Sequence, residues 1–385
     1  MTLPEETGRN RENKAPPKAR EVYIYSTDFA LAQGGSISGK VYDEQGNPIA
    51  GAYISTWSEK GGDGWTGTDS NGNYTVSDLP GGEYYVEVSA PGKISEFYDG
   101  VYDWDKATLV KVTPPDDTPN INFTLEQGGR ILGKSTDEKG DPIAGAFVSA
   151  LRYENGVPVE WVGWAESDGE GNYIIGENPW NGALRSGEYK VLAMPPDRDP
   201  DWNRVKKWYL EGKPGGVLFA EEASLIKITT PQDATGIDIA LDEIGGSISG
   251  TVYDHQGSPL AGAQLRADYY DHPYHWAGRG GGTDENGNYI IRGLPTQSYR
   301  VGVEHTKGWH SHPWYDNTYL YEEALPVSVT APEQIAGINF ALEPAGDIKG
   351  SIKLQGRPAS GKVLGEVKIG LLNNMPRCAY LHRCH

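Results

Sequence analysis

A domain-sized unit recurs along the chain, and this internal repeat limits the fold more than any single motif does. The unit opens as GGSISGKVYDEQGNPIAGA at Gly34, as GGRILGKSTDEKGDPIAGA at Gly128 and as GGSISGTVYDHQGSPLAGA at Gly245, with a degraded fourth opening, AGDIKGSI, at Ala345. Gly35, Gly129, Gly246 and Gly346 lie 94, 117 and 100 residues apart, so each unit has the length of a small domain. A middle motif (TDSNGNY at Thr68, SDGEGNY at Ser167, TDENGNY at Thr283) and a closing motif (INFTLE at Ile121, IDIALD at Ile237, INFALE at Ile338) recur in the same order.

Every repeated segment alternates apolar and polar residues, the period of a strand with one buried face. Ile37, Gly39 and Val41 point one way while Ser38, Lys40 and Tyr42 point the other, and the same parity holds for Ala52, Ile54 and Thr56, for Tyr84, Val86 and Val88, and for Ile121, Phe123 and Leu125. No stretch of the repeats keeps a helical period for three turns. Asp43 to Pro48 supplies an Asp-Gly-Pro turn, and Asn71-Gly72 between alternating runs signals a hairpin. About seven short strands per unit predict an all-β chain of antiparallel sandwiches. The linkers after Leu125 and Leu241 are so short that neighbouring units should form a semi-rigid row.

Composition narrows the partners. With 34 Lys plus Arg against 53 Asp plus Glu the net charge is −19, which repels phosphate backbones and anionic lipid head groups. Nucleic acid and membrane surfaces are therefore not expected partners. No run of 18 apolar residues could span a bilayer, and the polar N-terminus lacks the apolar stretch of a signal peptide. The two cysteines, Cys378 and Cys384, both lie in the last eight residues, so the body should fold without disulfides.

The string G-x-I-x-G-x-V-x-D-x-x-G-x-P-[IL]-x-G-A, followed by T-D-x-x-G-x-Y and G-x-Y-x-V, resembles the carboxypeptidase regulatory-like domain over residues 34 to about 343. The resemblance implies three tandem seven-stranded antiparallel Greek-key-type sandwiches of transthyretin-like, carbohydrate-binding-like fold. It further implies a bacterial secreted or surface protein in which such units are spacers and binding accessories. The domain boundaries expected are 1–33 for a polar N-terminal segment, 34–127, 128–243 and 244–344 for the repeats, and 345–385 for a truncated fourth repeat or fused tail, with flexible ends. The segment GEVKIGLLNNMP, Gly365 to Pro376, is similar to the start of a homoserine acyltransferase-like domain and stops before any catalytic residue. Peptidase chemistry is not implied, because no histidine has Glu three residues on to form a zinc-binding pair. The related collagen-adhesin B-type sandwich cross-links Lys to Asn beside a buried Glu. Lys40, Glu87 and Asn122 are the tempting trio here, and parity puts all three on outward faces, so no isopeptide bond is expected.

Three candidate sites remain. Asp69, Asn71 and Asn73, with Asp284, Asn286 and Asn288, resemble half a calcium loop but lack the later bidentate Glu, and read as hairpin turns. His272 and His275, with His305, His310 and His312, fall in two loops expected at opposite ends of unit three, and read as solvated loops rather than as a metal site. Aromatic pairs recur after the fifth strand as Phe97-Tyr98, Trp208-Tyr209 and Trp314-Tyr315, and read as satellite core. The non-recurring aromatics of unit three have no such explanation. Trp and Tyr rings offer flat faces to the C–H faces of sugars, so Tyr270, Tyr274, Trp276, Trp309 and Trp314 are the expected ligand contacts. No nucleophile elbow, phosphate loop or metalloprotease helix occurs in the sequence. The expectation is a monomeric, non-catalytic, extracellular or cell-surface protein without cofactor, serving as spacer and as binding module for carbohydrate or another surface polymer. The alternatives are the accessory region of a larger secreted hydrolase or peptidase and a purely structural adhesin stalk.

Overall fold

A computed structural model describes residues 33–196, 203–273, 275–306 and 311–344. The expected N-terminal segment and the 345–385 tail lie outside these residues, apart from Gln33. The described chain is β-structure joined by turns and single 3-10 turns. Unit one contains β1 (Gly35–Asp43), β2 (Tyr53–Trp57), β3 (Asp63–Gly67), β4 (Asn73–Leu79), β5 (Gly82–Ala90), β6 (Lys93–Phe97), β7 (Val110–Val112), β8 (Asp117–Thr118) and β9 (Phe123–Leu125). One sheet runs β4-β1, with β8 and β9 on the far side of β1, and the other runs β3-β2-β5-β6, with β7 also on β5. Units two and three repeat the pattern, pairing Phe147–Glu154 with Gly187–Met194 and Gln264–Tyr269 with Gln297–His305.

Inward residues of the two sheets meet as the parity required. Ile37, Val41, Ile54, Val86 and Val88 fill one core, Ile131, Val148, Ile175 and Val191 a second, and Ile248, Leu265, Ile291 and Val301 a third. Two pairings in unit one depart from an antiparallel arrangement: β8 and β9 both run parallel to β1, with Ser36 opposite Asp117 and Val41 opposite Phe123. The reason is directional. A unit whose closing strand runs alongside its opening strand takes the chain in at one end of the sandwich and releases it at the other.

The repeated motifs close each unit by the same hydrogen bonds. The Tyr74 hydroxyl donates to the Ile121 carbonyl at 2.6 Å and Tyr289 does the same to Ile338, with Tyr173 bonded likewise to Ile237. A Cβ on Gly39 or Gly250 would meet that same carbonyl at 1.9 Å, so the glycine of the opening motif makes room for the crossing strand. Thr68 accepts the Ala52 amide and donates to the Ile49 carbonyl, and Ser167 and Thr283 repeat this staple. Asp69 Oδ1 accepts the amides of Asn71 and Asn73. The Asn73 side chain and these backbone donors hold the Asp69 carboxyl below the usual carboxylate range. Its oxygens are thus committed to the turn, which is the hairpin reading of the motif. Lys40 and Asn122 sit on the outer side of the first sheet, where Asn122 Oδ1 accepts the Lys40 amide, and Glu87 lies on the second sheet opposite Phe97.

Candidate functional site

The units meet through backbone, and the two junctions are built alike. At the first, Gly92 accepts the amide of Gly128, the first glycine of unit two, at 3.1 Å, and the Ala183 amide donates to the Lys93 carbonyl at 2.6 Å. At the second, Asn203 stands in the place of Gly92: its carbonyl accepts the Gly245 amide at 2.8 Å, and its Oδ1 accepts the Gly293 amide at 3.0 Å. Gly293 has φ +67°, and a Cβ there would meet the Arg204 carbonyl at 2.6 Å. Loops reinforce both contacts. Ser89 and Ser95 donate to the Pro179 and Asn181 carbonyls, and Arg185 bridges Asp103 of unit one and Glu160 of unit two.

The second junction also absorbs the first histidine loop. His272 stacks on Phe219 of unit two at 4.0 Å between centroids, and His275 Nε2 pairs with Glu221 at 3.1 Å. The loop is exposed at Asp271, His272 and Pro273, as expected of a solvated loop, and its two histidines also find Phe219 and Glu221 of unit two. Arg279 donates to the Pro195 carbonyl, and Lys206 Nζ donates to the Trp276 carbonyl at 2.7 Å while lying 5.2 Å from the Trp276 ring. Burial, with Arg279 nearby, pushes the Lys206 amine down to about 8.

The five aromatics expected to bind ligand are not brought together as one exposed platform. Tyr274 and Trp309 lie outside the described residues. Trp276 is half exposed at the junction with unit two. The Arg300 guanidinium is sandwiched between the rings of Tyr270 (4.0 Å) and Tyr321 (4.7 Å). Trp314 covers Gly302, where a Cβ would meet its ring at 2.5 Å, and meets Tyr321 edge-on. Tyr270 and Trp314 thus cover the polar outer face of their own sheet, where Arg266 holds the fully buried Asp268 through two bonds. The recurring pairs straddle their sheet: Tyr98, Tyr209 and Tyr315 lean on the cores, while Phe97 and Trp208 are buried outside them, Trp208 in a satellite cluster with Leu151, Tyr153 and Leu192.

The open aromatic surface is in unit one. Trp57 stacks on Tyr85 at 4.1 Å, and Trp104 leans on both at 6.1 and 6.0 Å. Beside them Trp65, 72% exposed, stacks on Tyr53. Strand parity could have found this surface, since Trp57 follows inward Thr56 and Tyr85 lies between inward Tyr84 and Val86. Among the described residues no cluster of His, Cys, Asp and Glu is arranged to hold a metal ion, and no helix is long and apolar enough to cross a membrane.

Residues 36–126 and 247–343 match the model of the carboxypeptidase regulatory-like domain. Both segments are carboxypeptidase regulatory-like domains. The middle unit, outside the matched residues, shares their motifs and Tyr-to-carbonyl closure, and its segment 177–183 meets unit one. No curated protein matches the chain. Among solved structures, similarity extends to the Bacillus anthracis TIE protein (14% identity, TM-score 0.22, 81% of this chain and 51% of that one). It extends also to a streptococcal ancillary pilin (10% identity, TM-score 0.26, 82% and 100%) and to BcpA, the major pilin subunit of Bacillus cereus (12% identity, TM-score 0.18, 81% and 99%). The chain therefore spans about half the length of the TIE protein.

Proposed function

We propose that this chain is a non-catalytic extracellular spacer in which consecutive sandwiches fix one another's orientation, and that it acts as a monomer. The observation that carries the reading is the reuse of one backbone lock, Gly92 to Gly128 and Asn203 to Gly245, at both junctions. A flexible tether has no need of matched hydrogen bonds on either side of its linker. Parallel opening and closing strands give each unit an entry end and an exit end, the geometry a row requires. The test is small-angle scattering of the whole chain beside a variant with six Gly/Ser residues inserted between Gln127 and Gly128. A rigid spacer gives a single well-defined maximum dimension that the insertion broadens. Identical profiles for the two proteins would remove the reading.

The same reading includes contact with a carbohydrate or other surface polymer through exposed aromatics. The Trp57, Tyr85 and Trp104 cluster supports it better than the expected unit-three residues do, because its rings are open on the sheet face rather than engaged with arginines. Titration of the chain with neutral and amino polysaccharides tests this part, and binding to none of them leaves the spacer alone.

A further inference from the structure

The register of the repeats exposes a substitution with a chemical consequence. On the strand that follows the fifth strand of each sandwich, Glu96 lies opposite Val88 in unit one, and Lys207 lies opposite Ala193 in unit two. Tyr84 and Tyr189 are matching residues four before each partner, so Glu96 and Lys207 occupy the same place in the fold. In unit three the place is held by Pro313, whose carbonyl accepts the Val303 amide. In unit two the buried Lys207 ammonium pairs with Asp242, the last residue of the closing motif, at 3.8 Å and with Glu243, the residue after it, at 2.8 Å.

Unit one keeps one of the two acidic partners, Glu126 for Asp242, and has lost the cation. Glu96 is 7% exposed and takes the Thr124 amide as a donor. Glu126, the residue matching Asp242, faces the same space and is bonded by the Tyr102 hydroxyl, while Gln127 stands where unit two has Glu243. Where Lys207 fills unit two, unit one has an open cleft of about 420 Å³ lined by Glu96, Glu126, Asp99, Tyr98, Tyr102 and Asn120 among others. The nearest cation of the next unit, Arg185, lies over the Tyr102 ring and is committed to Asp103 and Glu160.

We propose that this cleft between β6 and β9 binds a primary alkylammonium group, held between Glu96 and Glu126 in the gap that the Lys207 ammonium fills beside Asp242 in unit two. Several features fit that ligand. A lysine ammonium already occupies the matching gap one repeat away, 3.8 Å from Asp242, the counterpart of Glu126. The walls are the phenol rings of Tyr98 and Tyr102, which suit the alkyl stem and charge of an amine. The carboxyls are not gathered tightly enough to hold a metal ion among the described residues. Burial and the Glu126 charge push the free Glu96 carboxyl up to about 7, and an arriving ammonium relieves both effects. The chemistry is shared by a lysine side chain of a partner protein and by a free diamine.

The test is calorimetric and NMR titration of the whole chain at pH 8 with Nα-acetyl-lysine methylamide, cadaverine and the neutral Nα-acetyl-norleucine methylamide. Variants Glu96→Gln and Glu96→Lys are run beside the natural protein. The two amines are expected to shift the Thr124 amide and bind at least tenfold more tightly than the norleucine probe, losing affinity in 0.5 M salt. Glu96→Gln should weaken binding at least tenfold, and Glu96→Lys, which recreates the unit-two pair, should abolish it while raising the unfolding midpoint. Tighter binding of cadaverine than of the lysine probe identifies a free diamine as the source, and the reverse order a protein lysine. Equal binding of the norleucine probe, or undiminished amine binding by a folded Glu96→Lys protein, overturns the proposal, as does a natural protein that binds neither amine.

Discussion

The side-chain carbonyl of Asn203 in the middle unit holds the amide of Gly293 in the next one at 3.0 Å. The bond joins the chain after the strand Gly187–Met194 to the end of the strand Asn288–Leu294, and so couples two cores that share no buried residue. Asn203→Ala removes both this acceptor and the Nδ2 donor to Gly245, leaving the two sandwiches intact. We expect a loss of roughly 1 kcal/mol or less in unfolding free energy, the net worth of a neutral hydrogen bond. Residual dipolar couplings should show unit three reorienting against unit two. Asn203→Asp keeps the acceptor and should loosen the junction less.

How far the sequence revealed this arrangement depended on whether a residue acts inside its own repeat. Gly39, Thr68, Asp69 and Tyr74 recur in the same order in every unit, with Ser167 for the threonine in unit two, and close the unit on itself, so repetition and strand parity alone identified their strands and turns. The parallel pairing of Val41 with Phe123 was not legible, because alternation fixes which face a residue takes but not the direction of its neighbour. The roles of Phe219, His272 and Trp276 were hidden for another reason. Phe219 stands where the other units have Asp103 and Leu320, so repetition gives no hint of a ring there, and each of the three has its partner across a junction. Tyr270 and Trp314 were read as free rings, yet Arg300 and Gly302, two residues apart on one strand, engage them.

The glycine of the opening motif should tolerate nothing larger. In Gly250→Ala the new Cβ would meet the Ile338 carbonyl at 1.9 Å, a backbone atom that cannot move without displacing the closing strand. The expected cost is about 3 kcal/mol or more in unit three, among the larger single-residue effects. Tyr289→Phe removes only the hydroxyl that serves the same carbonyl, and should cost about 1 to 2 kcal/mol. Chemical denaturation of the whole chain should show one transition shifted in each variant, with the others in place.

Glu96 gives the chain a dependence on pH of defined sign. Its carboxyl is pushed up from 4.5 to about 7 by burial and by Glu126, so the folded state holds the proton more tightly than the unfolded chain does. The stability this contributes is fully present below pH 4.5 and is lost as pH rises through about 7. The unfolding midpoint of unit one should therefore fall between pH 5 and 8. Glu96→Gln, which mimics the protonated form, should flatten that slope and be the more stable protein at pH 8. A natural protein whose midpoint is level across this range, or rises, would contradict the assignment.

The exposed rings of unit one separate contact from packing by two measurements on each variant. Trp57 lies half buried under Tyr85, whereas Trp104 stands on a 3-10 turn with no buried residue. Trp104→Ala should leave stability within about 0.5 kcal/mol, as surface changes usually do. Trp57→Ala should cost somewhat more, through the lost stack with Tyr85. If a polysaccharide lies across this face, both variants should lose about 1 to 3 kcal/mol of binding free energy, as truncated aromatic anchors do at other interfaces. Trp314→Ala should behave in the opposite way, destabilising unit three by uncovering Gly302 and leaving polymer binding unchanged. A chain that loses polymer binding with Trp314→Ala or Tyr270→Ala while tolerating Trp57→Ala and Trp104→Ala would return the contact surface to unit three.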